Sequence, residues 1–399
     1  MRASIMQEVP PLKGVRVLEL GHIVAAPFAG MILHDLGSEV IKVEKPGGEI
    51  ARDLPDQGPS IFYALNRGKK SVVINLKDER GREAYLRLAS KVDIIVENMG
   101  PGVVEKLGIG YDDVVKYNDK IIYVSIKGFG KGIHEKRPAL DVVAQALSGL
   151  MRVTGHPGGE PVRVGTSIAD MLAGLYGVLQ AILALYRGNR PTFIEAPLYD
   201  SLVSIMAYWV TYVQVIGREP EPIGSGHAVW APYRAFKARD GWVFIGVTSD
   251  KHWARFCQAL GFDDLLADER FKTNQGRARH KKELESIVQA RLQGLDRDYI
   301  VEKLTQAGVP VAPIRNVGEV ARDEYLVERG ILRRGLGLRG EELLYITSPL
   351  LTRGFTVNPP GRPPHPGEHT VEVLSSLGYS MGEIEALVRD GVVYVHGGG

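Results

Sequence analysis

Alternation constrains this chain more than any other feature. Apolar, strand-like runs at Val15–Leu20, Ser38–Glu44, Ser71–Leu76, Val92–Glu97, Ile121–Ile126 and Thr192–Ala196 are separated by segments that can be helical, such as Glu79–Ala89. Strands spaced in this way need crossover helices, which implies a parallel or mostly parallel sheet covered on both faces. The first two runs and the Gly-rich stretch between them read as a βαβ unit. Glu44 closes the second strand, where a dinucleotide-binding protein would hold a ribose. The first turn, however, reads Gly21-His-Ile-Val-Ala-Ala-Pro27 and carries no G-x-G-x-x-G, so a nicotinamide reading is weak.

Beyond the sheet the pattern becomes helical at Asp141–Met151, at Asp170–Tyr186, which Ala, Leu and Gly dominate, and at Leu198–Val215. The first two of these are expected to be buried. Gly217–Gly226 then reads as a hinge. After it comes a strand at Trp242–Val247, with amphipathic helices near Lys251–Leu260, His280–Leu292 and Asp298–Ala307. The prolines of Asn358–Gly367 exclude regular structure and mark a linker to a short helix near Met381–Val388; the glycines at the end suggest a frayed tail. The expected organisation is a large α/β domain over 1–216, a hinge over 217–229, a small α+β domain over 230–330, and a C-terminal segment, 331–399, that returns to the large domain. A length of 399 residues suits such a two-domain chain.

Asp170 is the residue around which the chemistry is organised. In Gly165-Thr-Ser-Ile-Ala-Asp170, Ser167 followed three residues later by a carboxylate is a helix-start signature, which places Asp170 in the first turn. It could cap the helix by accepting backbone N–H bonds. It could instead be a nucleophile, kept ionised by those donors, with the small Ala173 and Gly174 letting a substrate approach.

Composition removes several function classes. Lys and Arg number 49 against 47 Asp and Glu, a net charge of +2, so no broad basic field is available for nucleic acid. The single cysteine, Cys257, cannot form an intrachain disulfide or supply a metal cluster and fits a reducing cytoplasm. The N-terminus has no apolar signal core, and the apolar runs read as interrupted short of a membrane span. The histidines have no metal-ligand spacing, and no G-x-S-x-G or Walker-type loop is present, so no metal or tightly bound cofactor is expected. What remains is a set of basic residues assigned to strand ends and turns: Lys45, Arg52, Lys69, Lys70, Lys77, Lys106 and Lys127. Each alone reads as a solvated charge. Together, on one α/β domain, they are what a polyphosphate ligand needs at the carboxyl ends of the strands.

Leu12–Leu20, Gly37–Pro46, Glu97-Asn-Met-Gly-Pro-Gly102, Tyr123–Gly130 and Gly165–Asp170, followed by Ala231-Pro-Tyr233, Ala307–Pro313 and Gly367–Thr370, occur in an order that resembles the class III coenzyme A transferases, whose relatives include formyl-CoA and carnitine-CoA transferases and α-methylacyl-CoA racemases. The resemblance covers nearly the whole chain. It implies a Rossmann-like large domain, an interlocked homodimer, and acyl-CoA and a carboxylic acid as substrates. It also implies Asp170 as the nucleophile of an aspartyl anhydride and thioester, with CoA contacts at Lys45, Ile74, Asn75, Lys77, Asn98, Lys106 and Lys127. A glycine-rich substrate loop would fall at Gly224, Gly226 and His227.

Departures from the family pattern narrow this. Gly100 stands where a basic residue is common, so one phosphate contact is either lost or taken over by Lys106, and Val24 replaces the glutamine of the formyl-CoA transferases. Racemases carry a histidine where this chain has Leu140, and leucine can neither accept nor donate the proton that racemisation moves. Transferase therefore ranks above racemase, with His22, His134 and His227 as the nearby candidates that could rescue the latter. The third reading is a catalytically silent CoA-binding protein.

Overall fold

The computed structural model describes residues 9–350 and 355–397. The N-terminal stretch read above for a signal core and the last two glycines of the tail lie outside them. The strands β1 (Arg16–Leu20), β2 (Glu39–Glu44), β3 (Lys70–Ile74), β4 (Ile94–Glu97), β5 (Ile122–Ser125) and β6 (Thr192–Glu195) pair in parallel in the order β3-β2-β1-β4-β5-β6. The short strand Val393–Tyr394 extends the sheet beyond β3 in the antiparallel sense.

Successive side chains of a strand point to opposite faces, and here both faces are dry. Val17, Val40, Ile94, Val96, Ile122 and Val124 pack on one side under the helices Ala25–Asp35 and Ile168–Arg187. Leu18, Ile41, Val43, Val72, Ile95 and Tyr123 pack on the other side under Glu79–Ala89 and the C-terminal helices Thr370–Ser376 and Met381–Arg389. Each such side chain taken fully out of water contributes about 1.5–3 kcal/mol. Truncating Leu18, which is wholly buried, would cost about 2–5 kcal/mol.

The 20-residue helix Ile168–Arg187 owes its place to small residues. A Cβ at Gly174 would lie 2.8 Å from the carbonyl oxygen of Ala25, and one at Gly177 would lie 2.8 Å from the Val124 side chain. Ala173 and Gly174 are thus spent on helix packing and do not open a path for substrate as expected above. The same helix is long and apolar enough to cross a membrane by length and composition, which the sequence reading did not recognise. Here its inner face is part of the core of the large unit.

The chain forms two compact units, one made of residues up to 150, 163–216 and from 324 onward, the other of 151–162 and 217–323. The excursion 151–162 therefore leaves the span 1–216 that the sequence suggested for the large domain. In the second unit β7 (Tyr233–Lys237), β8 (Trp242–Gly246) and β9 (Val311–Pro313) form an antiparallel sheet. Its core gathers Trp253, Phe256, Phe271, Leu284 and Ile300. In the first unit the C-terminal segment is tied down by buried polar groups. Arg67 pairs with Asp35 through bonds of 2.7 and 2.9 Å, Asp35 also accepts from the Ser348 amide and hydroxyl, each at 2.8 Å, and Gly68 N–H donates to Arg362 at 3.0 Å.

Candidate active site

A helix that leads into a parallel strand runs back across the sheet, so the first turn of Ile168–Arg187 lies at the carboxyl edge. Asp170 sits in that turn. Ser167 occupies the N-cap position without a side-chain capping bond. The cap comes instead from Asp141, whose Oδ1 accepts the Ala169 amide at 2.7 Å and the Asp170 amide at 3.4 Å. Asp141 is itself fixed by Gln145, whose Nε2 donates to Oδ2 at 2.6 Å.

Among the described residues nothing donates a hydrogen bond to the Asp170 carboxylate, so the expectation of an anion held by backbone donors is corrected. Burial, and after it the neighbouring Asp141, pushes the Asp170 carboxyl up to about 7. The result is a carboxylate that is weakly solvated and repelled by its neighbour. Such a group is more nucleophilic than one satisfied by several donors.

The strand order reverses between β1 and β4, and in open α/β sheets the crevice outside such a switch point is where ligands bind. The turn leaving β1 there is unusual. Ile23 has φ +61°, a conformation that a β-branched side chain adopts only under constraint. Glu49 Oε1 accepts the Ile23 N–H at 2.6 Å, and Asn98 brackets His22, accepting its N–H at 2.9 Å and donating to its C=O at 3.0 Å.

Beneath the turn lies a buried charge cluster. Lys42 contacts Glu19 at 2.8 Å, Glu49 at 2.6 Å and the Gly21 carbonyl at 2.8 Å; Lys69 contacts Glu19 at 2.5 Å. Glu44 holds Arg52 at 2.7 Å and accepts the Glu49 amide at 2.8 Å. The paired lysines keep the Glu19 carboxyl below its ordinary range against the opposing effect of burial, which is the largest.

The residues assigned to CoA contacts follow the carboxyl edge in strand order. Lys45 follows β2, is exposed, and lines a shallow pocket of about 210 Å³ with Pro46, Gly47, Gly48 and Asp53. Ile74 ends β3 and is buried, while Asn75 beyond it accepts the Lys77 amide at 3.2 Å and leaves the Lys77 side chain in solvent. Lys106 is exposed in the short helix after β4. Two residues have structural partners as well. Asn98 clamps His22, and Lys127 Nζ donates to Glu97 at 2.6 Å and to the Met99 carbonyl at 2.7 Å.

Three of the basic residues gathered from the sequence do not belong to a phosphate surface. Lys69 is buried against Glu19, Arg52 is buried against Glu44, and Lys70 lies at the opposite, amino end of β3, bonded to Glu39 and Glu372.

Gly224, Gly226 and His227 belong to the second unit. Gly224, at φ +63°, donates its amide to Gly155 at 2.7 Å, which docks the loop on the 151–162 excursion. The His227 ring stacks on Trp230 at 4.2 Å, and its Nδ1 accepts the Val229 N–H at 3.3 Å. Lys281 holds its carbonyl at 2.6 Å. Leu140, at the position of the racemase histidine, is 70% exposed. His134 is exposed too, its ring 5.2 Å from Phe129.

Sequence reasoning missed Asp141 as the cap, Glu49 as the partner of Ile23, and the strain at Ile23. Only Asp141 left a signal, a carboxylate opening a helical run.

Comparison with known proteins agrees with this geometry. The profile of CoA-transferase family III matches residues 12–370. A mouse (Mus musculus) succinyl-CoA:glutarate CoA-transferase is 34% identical, with 98% of this chain and 92% of the relative covered. A succinyl-CoA:mesaconate CoA-transferase of Haloarcula marismortui is 31% identical over 93% of this chain and 97% of its own length. The crystal structure of a CAIB/BAIF family protein from Brucella suis superposes with a TM-score of 0.86 at 31% identity, covering 93% of this chain and all of the other. The mostly parallel sheet and the match along nearly the entire chain lead to one conclusion: this protein belongs to CoA-transferase family III and is a CoA transferase.

Proposed function

We propose that Asp170 is the nucleophile that moves CoA from succinyl-CoA to a short dicarboxylic acid of the glutarate type. The observation that carries this reading is the Asp170 carboxyl itself, without donors, raised to about 7, in the first turn of a helix at the carboxyl edge. Its ionised oxygen attacks the thioester carbonyl carbon, the C–S bond breaks, and CoA leaves as thiolate with an acyl-aspartyl anhydride behind it. The thiolate then attacks the Asp170 carbonyl, giving an aspartyl thioester and free succinate. The acceptor carboxylate attacks that thioester and again expels thiolate. Return of the thiolate to the acceptor's acyl carbon yields the new acyl-CoA and regenerates Asp170. No acyl bond energy is lost to water in this sequence.

The donor and acceptor are taken from the substrates named for the relatives, since glutarate and mesaconate are both dicarboxylates. CoA lies along the carboxyl edge over Asn98, with Lys45, Lys77 and Lys106 free to meet its phosphates, Lys127 shared with Glu97, and Ile74 and Asn75 at the end of β3. Gly224, Gly226 and His227, in the second unit, remain the candidate substrate loop.

The working form is an interlocked homodimer. Leu175, Leu179, Leu183 and Tyr186 leave an apolar stripe on the outer face of the Asp170 helix, between 46 and 87% exposed, which association would cover. Racemisation is disfavoured by the exposed Leu140. Incubation with succinyl-CoA and a panel of short dicarboxylic acids, read by mass spectrometry, tests the proposal. It expects a new acyl-CoA and free succinate in equal amounts, and failure with every acid would refute it.

A further inference from the structure

We infer that Glu49 is a positioning residue for CoA transfer, acting through the strained turn at Ile23. The inference rests on the reading of Asp170 as nucleophile and adds a residue that touches neither substrate nor Asp170. A φ of +61° at Ile23 is costly for a β-branched residue, and such a conformation persists only where its surroundings impose it.

Glu49 imposes it. Its carboxylate is 4% exposed, accepts the Ile23 N–H at 2.6 Å, and is held by Lys42 at 2.6 Å, while its own amide is fixed by Glu44 at 2.8 Å. A charge-assisted bond of this kind is roughly twice as strong as a neutral one. The arrangement reaches the site through one further contact. The residue two beyond Ile23 is Ala25, whose carbonyl oxygen is the atom that a Cβ at Gly174 would meet at 2.8 Å. Gly174 is one turn along the helix from Asp170. Ile23, Val24 and Ala25 also share a core cluster with Ile168, Ala169 and Met171, which flank Asp170. If Ile23 relaxes toward negative φ, the start of the helix Ala25–Asp35 swings, and with it the surface against which the Asp170 turn is seated.

A displacement of about 1 Å in such a site costs turnover on the order of 10²-fold. Glu49→Met, which removes the acceptor, is expected to lower kcat by that factor while KM for succinyl-CoA moves by less than about threefold. Glu49→Gln, a neutral acceptor of the same shape, should lower kcat by only about threefold to tenfold. Ile23→Gly is the decisive partner, because glycine takes positive φ without strain and no longer needs to be held. The loss caused by Glu49→Gln should therefore shrink severalfold in an Ile23→Gly background, and this comparison stands even if Glu49→Met does not fold.

Equal losses in both backgrounds would overturn the inference. So would a Glu49→Gln protein that melts lower yet turns over like wild type per folded molecule, since Glu49 would then be structural only. Wild-type protein assayed alongside separates the two claims. Absence of exchange in wild type condemns the function itself, whereas exchange in wild type with no coupling between positions 23 and 49 condemns only the role of Glu49.

Discussion

Two sets of acids lie near the carboxyl edge of one sheet and are treated in opposite ways. Under the first turn, Glu19, Glu44 and Glu49 each have a cationic partner within 2.8 Å: Lys42 and Lys69 for Glu19, Arg52 for Glu44, Lys42 for Glu49. At the start of the Asp170 helix two carboxylates are neighbours with no cation between them among the described residues. Asp141 takes the backbone donors and Asp170 is left without. Burial raises the carboxyl in both sets and is the largest influence on Asp170, so the sets differ in whether a cation offsets it. Lys42 and Lys69 hold the Glu19 carboxyl, and Arg52 with Lys42 the Glu44 carboxyl, below the ordinary range against the opposing effect of burial, whereas burial and the neighbouring Asp141 push Asp170 up to about 7.

The comparison can be broken at either end, and the largest effect is expected at Asp170. Asp170→Asn keeps the shape and removes the nucleophile, so CoA exchange measured by mass spectrometry should fall by at least about 10³-fold with the fold intact. Stability should move the other way. The folded carboxyl titrates about 7 against an ordinary 3.8, so the native state binds the proton more tightly and loses stability as pH rises from about 4 through about 7. At pH 8 the Asn variant, which has no such charge to bury, should be more stable than wild type by on the order of 2 kcal/mol in urea titrations. Glu19→Gln should do the reverse. It leaves two buried lysines short of a counter-ion, and a loss of about 3–5 kcal/mol is expected. A stabilising Glu19→Gln would mean that the two sets do not differ as described.

A smaller effect sharpens the comparison. If Asp170 must be ionised in the free enzyme, kcat/KM should rise with pH and level off above about 7. Asp141→Asn keeps an oxygen for the helix cap and removes the neighbouring charge, so the acid limb of the profile should move about one unit lower. An unmoved limb would assign the shift to burial alone. The smallest effects are expected at the exposed lysines. Lys45→Ala or Lys106→Ala should weaken CoA binding by about 1 kcal/mol or less and flatten its salt dependence. Lys127→Ala should instead cost stability, because Glu97 loses the partner 2.6 Å away.

Much of the fold was legible because parallel strands buried on both faces must be apolar along their length, and Val-Val-Ile in β3 or Ile-Ile-Val in β4 leave little else to be. The helix Glu79–Ala89 was legible to the residue, with Asp78 capping it by accepting the Arg80 amide at 2.9 Å. The place of Asp170 in a first turn was legible from Ser167 and the apolar run behind it. Its capping partner was not, since Asp141 is 29 residues away and meets it only through the packing of two helices. The charges within β1 and β2 were no more legible. Glu19 and Lys42 look like the solvent side of strands, yet they are paired across the sheet in the interior, with Gly30 making room: a Cβ there would lie 2.1 Å from Glu19. Ile23 gave no warning because local sequence marks positive φ by glycine or asparagine, and here tertiary hydrogen bonds impose it on a residue that resists it.

The central claim is that the Asp170 carboxylate forms a covalent bond to the acyl group and then to CoA. Hydroxylamine intercepts both anhydride and thioester, so the most direct measurement is peptide mass spectrometry after turnover with succinyl-CoA in its presence. The account predicts a hydroxamate at Asp170, dependent on succinyl-CoA, absent in Asp170→Asn, and formed faster at pH 8 than at pH 6. Full exchange activity with Asp170 unmodified, or hydroxamate at another acid, would contradict it.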